Sequence, residues 1–263
     1  MLKLLKYEWK ACARICLPLY AVELLVAFIN RLLYSDIGSK LLYGIPSIVM
    51  TMLYAAIMVA LFVVTAVVLV QRFYKNLLGS EGYLMFTLPV SVSQHIMSKA
   101  VMALVMGVLS FVAALVSIDL LSHGMSVGQG FVSLLRNLSA YPSDIPFMLE
   151  GILWFVLTAL ACVLFIYLCI ALGHLAKKHR LLMAFVWYFV LSTAVQIIGM
   201  LVLMAGGNVV SESMARSIVL FWKSMGSGAV HFVVLILCLV SAAAAAICFA
   251  GTRYILTHKL NLE

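Results

Sequence analysis

The 263-residue chain is 66% hydrophobic and only 10% charged, where soluble domains run at roughly half apolar and a quarter charged, so it lacks the polar surface that a water-soluble fold of this size requires. Its net charge of +8 is not gathered into a basic stripe with interleaved aromatics, which argues against a nucleic-acid-binding surface. With a mean hydropathy of +1.19 the chain reads as an all-α polytopic membrane protein.

The first twelve residues form an amphipathic pattern. Leu2, Leu5 and Trp9 share one helical face, and Lys3, Lys6 and Lys10 form the adjacent one. This suits an interfacial helix in the headgroup layer, with Trp9 at the boundary and the lysines toward anionic lipid. The alternative is a charged flank of the first span. The apolar run that follows is too long for a signal-peptide core and lacks a small-residue cleavage site, so the first span is expected to stay in the protein.

Six apolar segments follow, at approximately 15–33, 44–70, 97–121, 150–174, 181–205 and 228–254, each near the ~20 residues that cross a bilayer as a helix. The first carries Glu23 and Arg31, and a surface-lying first helix with five spans is the alternative. At ~1.5 Å rise per residue, the two charges are ~12 Å apart along the helix, too far to pair. A carboxylate at that depth needs a partner, a proton or water. Glu23 therefore reads either as a pathway-lining group or as an interhelical hydrogen-bonding group. The six cysteines all lie in or beside apolar segments and read as packing residues.

Between the second and third segments lies a basic, aromatic stretch, Arg72-Phe73-Tyr74-Lys75-Asn76-Leu77-Leu78, broken at Gly79 and resuming after Glu81-Gly82 toward Pro89. Exposed Phe73, Tyr74 and Tyr83 are costly in water, so the stretch is expected to meet either the membrane surface or a partner protein. Two further connections, 122–149 and 206–227, carry helical spacing of apolar residues and read as short outer helices. Twelve of the 17 Lys and Arg fall on the side that holds both termini and the 72–89 loop. The positive-inside rule makes that side cytoplasmic. No zinc-protease, nucleophile-elbow or phosphate-loop motif occurs, so no catalytic residue or metal ligand is assigned and the chain is not expected to be an enzyme by itself.

The loop sequence Arg72-Phe-Tyr-Lys-Asn-Leu-Leu-Gly79, followed by Glu81-Gly-Tyr-Leu-Met-Phe-Thr-Leu-Pro-Val90, resembles that of bacterial ABC-2-type transporter permeases. The opening Leu5-Lys6-Tyr7-Glu8 and the closing Lys259-Leu-Asn-Leu-Glu263 are similar too. Ser80 departs from the pattern, where an acidic residue is more usual. The resemblance implies a six-helix, type V exporter-like transmembrane subunit in the bacterial cytoplasmic membrane. A second permease subunit, identical or not, would pair with it, and a separate cytoplasmic ABC ATPase would hold ATP and Mg. Residues Arg72 to Gly82 would form the coupling helix that docks on the ATPase, and the amino-terminal helix would be a second contact. The substrate class implied is amphiphilic or peptide-like; a stand-alone secondary transporter or channel is the alternative.

Overall fold

The computed structural model describes residues 2–33, 45–78, 91–121, 128–130, 132–133, 136, 145–176, 179–209 and 212–259. Its elements are α1 (Leu2–Leu33), α2 (Ile45–Phe73, continued by a π-helical turn, Tyr74–Leu78), α3 (Val92–Leu121), α4 (Ile145–His174), α5 (Arg180–Val209), α6 (Glu212–Met225) and α7 (Ser227–His258). Six of them, all but α6, are long and apolar enough to cross a membrane. The chain is a multi-pass membrane protein.

The side chains of α1 show why the bilayer is its solvent. Glu8, Cys12, Cys16, Tyr20, Glu23, Ala27 and Asn30 recur at helical spacing and are buried. Val22, Leu25, Phe28 and Leu32, on other faces, are each at least 50% exposed. Polar groups inside and bare aliphatic groups outside would be inverted in water, where apolar burial drives folding. In hydrocarbon the exposed aliphatic residues cost nothing, and the polar ones find partners on other helices.

The chain forms two units. In the first, α1 packs against both α2 and α3. Contacts Glu8–Lys99, Tyr20–Ser110 and Glu23–Ser117 advance together in sequence, so α1 and α3 run parallel. Thr65–Ser110 and Tyr54–Ser117 run in opposite senses, so α2 is antiparallel to α3. Cys12, Cys16 and Tyr20 of α1 pack with Leu61 and Val68 of α2 and with Met102 and Met106 of α3. Nearer the other end Val26 and Ala27 meet Tyr54, with Leu120 and Leu121 against them. Small side chains at Ala13, Ala27, Ala103 and Ala113 let the backbones approach, which is how membrane helices gain dispersion contact without a hydrophobic driving force.

In the second unit α4 and α7 also run parallel, linked by Glu150–His231 and Thr158–Ser241. A Cβ at Gly251 of α7 would lie 3.0 Å from Leu168 Cδ1 of α4, so the helices stay close further along. The turn from α4 to α5 is tight. His179 adopts a positive φ of 53°, and Arg180 Nη1 lies 3.2 Å from His174 Nε2. The 14-residue α6 stands within the 206–227 connection and packs on α7, with Trp222 and Phe232 rings 6.1 Å apart.

Two boundaries differ from those the sequence suggests. Residues 1–12 and the first span read as separate helices, but α1 is continuous from Leu2 to Leu33. Nothing between Cys12 and Ile15 breaks a helix, and Pro18 is carried inside it. The second span does not end near residue 70, because α2 continues to Phe73 and then to Leu78 as a π turn.

Gly173 sets the α4–α5 turn. A Cβ there would fall 2.4 Å from the Ala184 backbone nitrogen, which cannot yield as a flexible side chain does. Gly173→Ala is expected to destabilise the protein by about 1–3 kcal/mol, as overpacking does. Its thermal unfolding midpoint in detergent should fall measurably, whereas Gly199→Ala, with nothing within 4 Å and a better helix former in place of glycine, should leave it unchanged or slightly raised.

Candidate functional site

One end of the first unit brings three charged side chains together. Glu8 of α1, only 6% exposed, accepts from two cations on two other helices. Arg72 Nη1, at the end of α2, donates to Oε2 at 2.9 Å, and Lys99 Nζ of α3 donates to Oε1 at 2.6 Å. The Lys99 side chain is 3% exposed, whereas that of Arg72 retains 26%. An ammonium removed from water costs several kcal/mol, and a charge-assisted pair with good geometry offsets that cost. Two cations against one carboxylate leave one positive charge in excess, and the part-exposed Arg72 can share it with solvent.

Arg72 also begins the predicted docking segment, and its burial pattern corrects the sequence expectation. Phe73 is not exposed as expected: both Phe73 and Leu77 are fully buried. The reason is geometric: continuation of α2 through a π turn places these two residues, four apart, on the inward side. Tyr74 and Asn76 are half-buried and Lys75 is exposed. The Leu78 side chain and Gly79, Glu81 and Gly82 lie outside the described residues. Of the predicted interfacial set, Lys6, Trp9 and Lys10 are exposed on the first turns of α1, and the Lys3 side chain lies outside the described residues.

Two further polar layers follow along α1. Tyr20 Oη lies 2.8 Å from Ser110 Oγ, which is 3.2 Å from Thr65 Oγ1, so one hydroxyl from each helix meets there. Beyond it, Tyr54 Oη lies 2.9 Å from Ser117 Oγ, which donates to Glu23 Oε1 at 3.1 Å. Glu23 is 0% exposed, and its Oε2 has no hydrogen-bond partner among the described residues. Asn30, two turns on and also 0% exposed, has no partner among the described residues on either side-chain polar atom. From Glu8 to Asn30 the polar face extends ~33 Å at ~1.5 Å per residue, about the hydrocarbon thickness. Glu23 thus makes an interhelical hydrogen bond, and Arg31 is not its partner.

In the second unit His231 Nδ1 lies 2.9 Å from Glu150 Oε2, and the Phe147 ring stands edge-on to the imidazole at 6.1 Å. Among the described residues no group of three or more His, Cys, Asp and Glu is arranged to hold a metal ion.

Sequence reasoning missed Glu8, Lys99, Tyr54, Ser117 and Asn30 as members of one polar, inward-facing surface. One signal was available. Glu8 is the single acid among Lys3, Lys6, Lys10 and Arg14, and helical geometry turns it away from Lys6, Lys10 and Arg14. No family description, no curated protein and no solved structure matches the chain.

Glu8→Gln removes the one anion between two cations and leaves Lys99 buried without a counter-charge. It is expected to cost about 3–5 kcal/mol, as breaking a buried pair does, seen as loss of the monodisperse peak or a large fall in unfolding midpoint. Glu23→Gln, which keeps an acceptor for Ser117, should be far milder in the same assay.

Proposed function

We propose that the chain is the membrane-spanning permease subunit of a bacterial ABC-2-type exporter, powered by a separate ATPase. Its termini and the segment between α2 and α3 lie in the cytoplasm, as the distribution of Lys and Arg favours. A second permease subunit completes the pathway for an amphiphilic or peptide-like substrate.

The observation that carries this reading is the Glu8 node. The segment that would dock on the ATPase starts at Arg72, and Arg72 is tied through Glu8 to α1 and through that same carboxylate to Lys99 of α3. A push on the segment therefore reaches three spans. Phe73 and Leu77 anchor it inward, while exposed Lys75 and half-buried Tyr74 are left to meet the partner. ATP-driven closure of the ATPase would favour one arrangement of the spans by differential contact with this surface, a population shift. The six spans and the loop resemblance support the same reading.

One feature favours a stand-alone, ion-coupled transporter instead: the buried polar atoms of Glu23 and Asn30 that lack a partner among the described residues. Intramembrane carboxylates commonly lie on ion or proton paths. Reconstitution separates the two. Under the permease reading transport requires ATP and the partner, and transport driven by an ion gradient with this chain alone contradicts it.

Because Phe73 is buried, charging it would report misfolding, so the docking test belongs at Lys75. Lys75→Glu is expected to leave the unfolding midpoint unchanged and to lower ATPase co-purification and substrate-stimulated ATPase activity by about tenfold, the scale of one lost interface anchor. Wild-type stimulation in this variant would argue that the segment does not dock.

A further inference from the structure

The first turns of α1 present a groove of about 500 Å³ that the Glu8 node leaves charged on one side. Lys6, Lys10 and Arg14 line it, one turn apart and all exposed. None of the three has an ion pair or side-chain hydrogen bond among the described residues, because the one nearby acid, Glu8, is turned inward to Arg72 and Lys99. Trp9 flanks the cations, 40% exposed, and buried Ala13 forms the floor. Toward the membrane interior the lining turns apolar, at Leu17 and Pro18.

The geometry points to a bound anionic phospholipid as the occupant: its phosphate among Lys6, Lys10 and Arg14, its acyl chain along Leu17 and Pro18. Three observations favour a lipid over an acidic protein segment. The groove passes from three cations to bare hydrocarbon surface along one helix, which demands a ligand that is anionic at one end and aliphatic at the other. That helix continues directly into a membrane span, so the apolar end of the groove opens on acyl chains. Trp9 stands at the transition, where an indole is most stable at the membrane–water boundary. Pro18 adds a polar feature. It has no N–H to donate to the Arg14 carbonyl four residues earlier, so that carbonyl lacks its usual helical donor and a headgroup hydroxyl could supply one. Phosphatidylglycerol supplies both the phosphate and such hydroxyls. The permease reading gives these same amino-terminal turns a contact with the ATPase, but the lipid test uses the protein without ATPase or substrate, so its outcome is read separately from that reading.

The test is native mass spectrometry of the full-length, delipidated protein with phosphatidylglycerol or phosphatidylcholine added at equal concentration. The expected result is a preference for phosphatidylglycerol of about tenfold or more, given the attraction of clustered Lys and Arg to anionic lipid. K6Q/K10Q/R14Q should lose most of that preference, whereas R216Q/K223Q/R253Q, which removes the same charge from other helices, should keep it. Each single variant at Lys6, Lys10 or Arg14 should lose affinity severalfold, which decides the matter should the triple variant fail to fold. Equal binding of the two lipids, unchanged affinity in all three single variants, or equal losses in the two triple variants would overturn the proposal. Competition by a polyglutamate peptide as effective as the lipid would assign the stripe to an acidic protein instead.

Discussion

A carboxylate shared by two cations, with almost no access to water, constrains everything around it. Glu8 holds Lys99 at 2.6 Å and Arg72 at 2.9 Å, and each belongs to a different helix. Low local polarity strengthens the attraction and also makes any unpaired member costly. The three helices must therefore keep a common register at this end. With Glu8 committed inward, the cations on the outer face of the same helix, Lys6, Lys10 and Arg14, are left for the membrane. One side chain thus sorts the first turns of α1 into an internal node and an external anionic-ligand face.

The rest of the first unit repeats the scheme with hydroxyls. Tyr20, Ser110 and Thr65 form one layer, and Glu23, Ser117 and Tyr54 another, each with one group from each helix. Interhelical hydrogen bonds of this kind contribute modestly, about 0.6 kcal/mol on average in membrane proteins. Their larger effect is on register, since a shift of one residue would rotate every polar group by ~100° away from its partners. The second unit relies more on close backbone approach, at Gly173 against Ala184, and on the contacts of Glu150 with His231 and of Arg180 with His174.

The spans were legible in the sequence because a long uncharged apolar run is most stable as a helix in hydrocarbon, and the all-helical, six-span architecture follows from six such runs. The partners within the polar face were not legible. Glu23 meets Ser117 across 94 positions and Glu8 meets Lys99 across 91, and no local spacing encodes such pairs. Glu8 was hidden for a second reason. Lysines on either side of it make the segment read as a surface helix, whereas the acid faces the interior. Phe73 misled for a third, since a basic aromatic stretch after a span reads as an exposed loop unless the helix is known to continue through a π turn. What remained readable there was Lys75, exposed on that turn.

If the Glu8 node carries motion from the docking segment to α1 and α3, an apolar replacement of its buried pair should spare the fold and break the coupling. Glu8→Met together with Lys99→Met removes both buried charges at once, a change often neutral or stabilising for a folded protein, and leaves Arg72 part-exposed. The direct measurement is ATP-dependent transport per ATP hydrolysed, in vesicles holding this variant and the ATPase proposed to power it. The account predicts a folded, ATPase-associated variant whose transport per ATP falls severalfold. Wild-type transport per ATP in a variant without the node would contradict it.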